Sequence, residues 1–146
     1  MVEHNDISIA HMSMIQGIVT RLETNCFTLK AMTMTLAVAL LALMGSIENP
    51  NWVYPVAGCL PVTIFWIMDA QYLRLGRLFR RLFNDVRRHK IDDHFSMNIK
   101  PYFEEEQHTM RIAISWSVFW YYATILLTFA FITIFFLYQT KEVTSG

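Results

Sequence analysis

Three apolar stretches, at 31–47, 52–69 and 112–138, set the limits on what this chain can fold into. Polypeptide in lipid must satisfy every backbone N–H and C=O internally, and a helix does so within a single segment. Each stretch is able to cross a hydrocarbon core of about 30 Å as a helix, the first two with little to spare. The chain has 146 residues, 54% of them hydrophobic, which allows one domain. The expected fold is therefore all-α: an integral membrane protein with three transmembrane helices.

The formal net charge of zero hides a strong segregation. Nine of the twelve Lys and Arg residues lie between Ala70 and Arg111: Arg74, Arg77, Arg80, Arg81, Arg87, Arg88, Lys90, Lys100 and Arg111. Clustered basic residues stay on the cytoplasmic side of a membrane, because carrying them across is costly. The segment 70–111 is thus expected in the cytoplasm. Two spans return the chain to the side where it began, so the N-terminus is expected in the cytoplasm, and Asn49 and the C-terminus outside. The first residues include Glu3 and Asp6 and lack the basic start of a secretory signal. Amphipathic rings agree with this placement. Trp52 and Tyr54 mark the outer edge, Phe65 and Trp66 the inner one, and the cluster from Trp116 to Trp120 sets the inner boundary of the third span.

The first two helices are expected to run on beyond the bilayer. Met12, Ile15, Val19, Leu22, Cys26 and Leu29 recur in alternating steps of three and four, a heptad-like seam that continues through Thr33, Leu36, Leu40 and Leu43. Residues 1–30 therefore read as a cytoplasmic helix entering the first span unbroken. After the second span, Leu75, Leu78, Phe79, Leu82, Phe83 and Val86 form one face of a basic helix over 70–90, and Arg74, Arg77, Arg81 and Arg88 another. The Glu48-Asn49-Pro50-Asn51 cluster punctuates a turn between the two spans. With the fold at Asn49, residues whose numbers sum to about 99 stand at equal depth. Lys30 then faces Asp69, a carboxylate at the inner boundary that requires a partner, and Glu23 stands level with Arg77. The polar segment 91–107 reads as a loop, with Glu104-Glu105-Glu106 capping the approach to the third helix.

Each chemical constellation competes with a plainer reading. The arginine face exceeds what topology requires, and guanidinium groups bind phosphate bidentately. The plain alternative is an anchor resting on anionic headgroups. Thr35, Ala39, Ala42 and Ser46 form a small-residue stripe that suits close helix packing, or lines a pore in an oligomer. Pro55, Gly58 and Pro61 interrupt the second span, either as a tolerated kink or as a hinge. His89, Asp92, Asp93 and His94 match no metal-site spacing, so no metal is expected. Cys26 and Cys59 fall at different depths and are expected to stay unpaired. No nucleophile motif, Gly-rich phosphate loop or paired carboxylate supports an enzyme, and no cofactor is implied. A short basic helix with no reading motif argues against nucleic acid. The middle of each span lacks charge, which argues against an ion-coupled carrier.

Two stretches carry a resemblance. They are Arg21-Leu22-Glu23-Thr24-Asn25-Cys26-Phe27-Thr28-Leu29-Lys30 and Phe65-Trp66-Ile67-Met68-Asp69-Ala70-Gln71-Tyr72-Leu73-Arg74, the latter followed by Arg77-Leu78-Phe79-Arg80-Arg81-Leu82. They resemble a family of small bacterial three-span membrane proteins associated with anti-phage signalling loci. The pattern of Asn25, Phe27, Lys30, Asp69, Tyr72, Arg77, Phe79 and Arg80 is present, and a glutamate expected before Arg77 is replaced by Gly76. The resemblance implies an oligomeric effector in the bacterial inner membrane, gated by a nucleotide second messenger from a partner enzyme. The expected ligand-binding residues are Arg74, Arg77, Arg80 and Arg81, joined by Arg21 and Lys30 of neighbouring subunits. Two other readings fit the same sequence: an accessory subunit of a larger complex, and an unregulated pore-forming toxin.

Overall fold

A computed structural model describes residues 2–47, 51–88, 95–104, 106 and 108–145, with side chains described between Ile7 and Gln139. The described residues are all-helical apart from the 95–108 segment and the turns. The helices are α1 (Val2–Gly45), α2 (Val53–Arg87), α3 (Thr109–Ala113) and α4 (Trp116–Ser145), with one 3-10 turn at Lys100–Tyr102. Within α1, α2 and α4 lie three segments long and apolar enough to cross a membrane: Ile7–Gly45, Val53–Arg87 and Trp116–Gln139.

Helices α1 and α2 form a long antiparallel hairpin. Their 44 and 35 residues correspond to about 66 and 52 Å at 1.5 Å per residue, well beyond the thickness of a bilayer core. Asn51 helps start the return helix, its Oδ1 accepting the Val53 N–H at 3.2 Å. The rest of the turn cluster, Glu48 to Pro50, lies outside the described residues.

The core is three clusters strung along the hairpin. Near the turn, Ala37 and Met44 of α1 and Val62 of α2 meet Val118, Tyr122 and Phe129 of α4. Gly58 makes this possible: a Cβ there would lie 2.9 Å from the Phe129 ring and 3.4 Å from Leu40 Cδ1. Pro55, Gly58 and Pro61 thus sit in a helix that runs unbroken to Arg87, and Gly58 provides close approach. Midway, Ala70 packs on Ile112 and Ala113 of α3. In the basic half, Ile15 packs on Leu82 and Val86, and Met97, Ile99 and Tyr102 of the following segment close over them.

The seam on α1 departs from a strict heptad. Ile15, Cys26, Leu29 and Thr33 are buried as expected, but beyond Thr33 the buried positions are Ala37 and Met44, while Leu43 is 60% exposed. The step from Thr33 to Ala37 is four where the seam has three, so the buried face shifts by one position there toward the path of a straight helix, about 3.6 residues per turn. With α4 packing on α2 as well, the contact face follows the straight helix.

The third span also differs from the expected 112–138. Ile112 and Ala113 belong to α3, and the spanning helix begins only at Trp116 and continues past Tyr138. The break has a local cause. The Trp66 indole N–H donates to the Ala113 carbonyl at 3.1 Å, and this is the carbonyl that would accept from Ser117 in a continuous helix. Helix α4 starts afresh, with the Val118 and Phe119 N–H groups both donating to the Ser115 carbonyl.

Candidate functional site

The basic half of α2 holds the expected binding residues, and the structure gives most of them partners from within the chain. Glu106 is the centre. Its carboxylate is only 5% exposed and accepts from Arg81 Nε at 2.9 Å, with Arg77 Nη1 at 3.9 Å. Glu106 therefore does not cap the approach to the third helix: α3 has no side-chain cap at its N-cap residue His108, and Glu106 turns back onto the arginines of α2, while Glu105 lies outside the described residues. A buried carboxylate needs compensating charge, and two guanidinium groups supply it more effectively than a short helix end.

The segment ahead of Glu106 is fastened by three further contacts. Arg74 lies over the Phe103 ring at 5.1 Å and donates to the Phe103 carbonyl at 3.4 Å. The Tyr102 hydroxyl donates to Asp85 Oδ2 at 3.0 Å. His11, 2% exposed, bonds through Nε2 to the Ser96 carbonyl at 3.0 Å, and its ring lies 5.8 Å from that of Phe95. Phe95 holds a left-handed φ of 67°, uncommon for a bulky residue. So 95–104 together with Glu106 forms a strap across the basic half, where the sequence indicated only a polar loop.

Arg80 faces a different way. It is 59% exposed and pairs with Glu23 of α1 across the hairpin. The sequence arithmetic set Glu23 level with Arg77, and the observed partner is one turn further along α2. Arg21 is exposed on α1.

Lys30 and Asp69 are in direct contact. Lys30 Nζ donates to Asp69 Oδ2 at 2.5 Å, the carboxylate 1% exposed and the amine 27%. Above them the Tyr121 hydroxyl donates to the Lys30 carbonyl at 2.6 Å, tying α4 to α1 at this level. Asp69 Oδ1 and the Tyr122 hydroxyl are both buried and make no hydrogen bond among the described residues.

Between these two regions a cavity of about 470 Å³ opens where α1, α2 and the start of α4 meet. Arg77, Arg80 and Glu23 line it together with Ser115, Trp116 and Ser117. The Ser115 hydroxyl is buried and makes no hydrogen bond among the described residues. The structure thus does not bring all six expected residues together. Arg77 and Arg80 share the cavity, Arg74 and Arg81 hold the strap, and Lys30 is taken by Asp69.

The stripe of Thr35, Ala39, Ala42 and Ser46 is exposed along its whole length. Its hydroxyls are satisfied within α1, Thr35 by the Ala31 carbonyl at 2.9 Å and Ser46 by that of Ala42 at 3.0 Å, leaving a smooth outward face. Cys26 and Cys59 are free thiols. Of the polar loop residues, His89, Asp92, Asp93 and His94 lie outside the described residues.

Sequence reasoning missed Glu106, His11 and Ser115. Glu106 carried a weak signal, one acidic residue in a run of three following a run of arginines. His11 and Ser115 carried none, since their roles depend on segments distant in the chain. Comparison of the chain with protein-family models, characterised proteins and solved structures finds no match.

Proposed function

We propose that the chain is a membrane effector of bacterial anti-phage defence, which assembles as a homo-oligomer in the inner membrane and depolarises it when a cytoplasmic anionic signal of the nucleotide type binds. The observation that carries this reading is the continuity of α1 and α2 from the apolar half into the basic half. Anything that shifts the arginine-bearing ends must move the membrane-embedded ends with them. In this reading the N-terminus and the basic half lie in the cytoplasm and the C-terminus outside, following the segregation of Lys and Arg.

Two further features support it. Only 17%, 28% and 17% of the most apolar windows of the three spans are buried within one chain, which leaves wide surfaces for lipid and for neighbouring copies. The exposed small-residue stripe suits close approach between such copies. The partners are the bilayer, further copies of the chain, and a second messenger made by another enzyme.

In this reading the signal binds at Arg77 and Arg80, which line one cavity, with Arg21 of a neighbouring subunit as a further contributor. Arg74, Arg81 and Lys30 act in position-holding contacts. A ligand opens the assembly only by binding the open arrangement better than the closed one. The test is membrane potential in bacteria expressing the chain with and without its signal-producing partner. Signal-dependent depolarisation is expected for the native chain and its loss in Arg77→Glu and Arg80→Glu. Depolarisation that survives both substitutions rules the mechanism out.

A further inference from the structure

We infer that the cavity at the joint of α2 and α4 is a phosphate-ester site built from Arg77, Arg80 and the first turn of α4. This deepens the proposed function by naming where its anion sits, and in that respect rests on it. Four observations converge on one space. Arg77 and Arg80 line it from α2, offering the forked donors that match phosphate oxygens. Ser115 at the α3–α4 junction and Trp116 and Ser117 at the start of α4 also line it, and α4 is a helix of 30 residues whose positive end lies there. Intrahelical bonding in α4 starts only with Val118 and Phe119, and helix N-termini with unspent N–H groups are ready-made anion sites. The Ser115 hydroxyl is buried with no hydrogen-bond partner among the described residues, so one donor already waits at the wall.

Gly76 is the fourth observation. It is buried on α2, lines the cavity, and a Cβ built there meets nothing within 4 Å. A glycine inside a helix is unfavourable unless something uses the space its missing side chain leaves. Here that space is part of the cavity.

Arg77 also lies 3.9 Å from the buried Glu106, which Arg81 neutralises, so the charge that opposes an anion within the cavity is Glu23, which lines it and pairs with Arg80. Both side chains are more than half exposed, so the pair is a weak one that a phosphate can replace. Much of the remaining wall is apolar, contributed by Leu22, Cys26 and Leu73. The site therefore favours a phosphate ester bearing an apolar or flat organic group over inorganic phosphate. Two sources share this chemistry, the headgroup of an anionic phospholipid and a soluble nucleotide.

The test uses full-length protein in nanodiscs. Native mass spectrometry in discs of equal phosphatidylglycerol and phosphatidylcholine reads retention of the anionic lipid. Titration of discs of phosphatidylcholine alone with AMP, followed by tryptophan fluorescence, reads the soluble ester. Binding of either probe is expected, with at least a tenfold loss in Arg77→Gln and in Arg80→Gln. Gly76→Leu fills the cavity without changing charge and is expected to abolish binding while the protein stays folded by circular dichroism. Arg87→Gln with Arg88→Gln removes twice the charge of either single substitution, from exposed positions outside the cavity, and is expected to leave binding unchanged. Absence of binding by both probes overturns the site. So does binding that survives Gly76→Leu, or that falls equally in the Arg87/Arg88 variant. Binding that follows the expected pattern in a protein that never depolarises a membrane would leave the site standing and remove the gating function alone.

Discussion

At the scale of single residues, the Lys30–Asp69 pair shows how burial sets the cost of a charge. Asp69 is wholly enclosed, and Lys30 is its only counter-charge among the described contacts. Lys30→Met would leave a carboxylate buried without compensation. The expected loss is about 3 kcal/mol, at the lower end of the range for a broken buried pair because the amine is partly solvated. Adding Asp69→Leu to Lys30→Met should recover most of it, since two apolar side chains replace the pair without orphaning either charge. Denaturant unfolding in micelles measures the cycle, and strictly additive effects would show that the two residues act apart. Glu106 makes a complementary prediction. Glu106→Ala removes the acceptor shared by Arg77 and Arg81, so amide exchange should rise across 95–104 and stay unchanged in α4. Equal protection in the variant would mean that Tyr102, Arg74 and His11 hold the strap without it. The ion pair was legible in the sequence, because antiparallel helices fix which residues stand level. The Glu106 contact was not: three adjacent glutamates are equivalent until the path of the strap selects one.

Among the elements, what the sequence reveals depends on whether a helix packs on one neighbour or several. The hairpin and the continuation of both helices beyond their apolar halves follow from apolar periodicity on α1 and α2 alone. The heptad register on α1 held through Thr33 and then gave way to Ala37 and Met44, because α4 also enters the packing from that level on. The break between α3 and α4 was invisible within an apolar run, as it depends on the Trp66 indole taking the Ala113 carbonyl. Gly58 tests the α2–α4 contact. Gly58→Val should force the Phe129 ring outward and cost about 1–3 kcal/mol, the usual range for overpacking. The companion change Phe129→Leu should restore part of that stability by clearing the space. Thermal unfolding in micelles reads both, and a Gly58→Val protein as stable as the native one would show that α4 stands further off than the structure has it.

Over the whole molecule, the hairpin is a pair of rods with one end apolar and the other basic, and its use depends on stiffness and on neighbours. The proposed oligomer, if it packs through the small-residue stripe, predicts that Ala39→Cys forms a disulfide-linked dimer on oxidation in membranes, in a background with Cys26 and Cys59 changed to Ser. Leu60→Cys, on an exposed face of α2, should cross-link far less; equal cross-linking at both would mean random collision in place of a defined interface. Stiffness makes the sharper prediction. Ala31 and Met32 are exposed on α1 where the two halves of the helix join. Replacing both with glycine removes no core contact but loosens the helix by about 1 kcal/mol per site relative to alanine. If the rods relay motion, the Ala31→Gly/Met32→Gly protein should bind a phosphate ester at the α2–α4 cavity as the native chain does, yet lose much of its signal-dependent depolarisation. Binding and depolarisation that both persist would mean that α2 alone carries the motion, since it runs unbroken past the same level. Loss of both would point to a disturbed fold, which circular dichroism of the same sample identifies. Only the split between intact binding and weakened conductance assigns the relay to the continuity of α1.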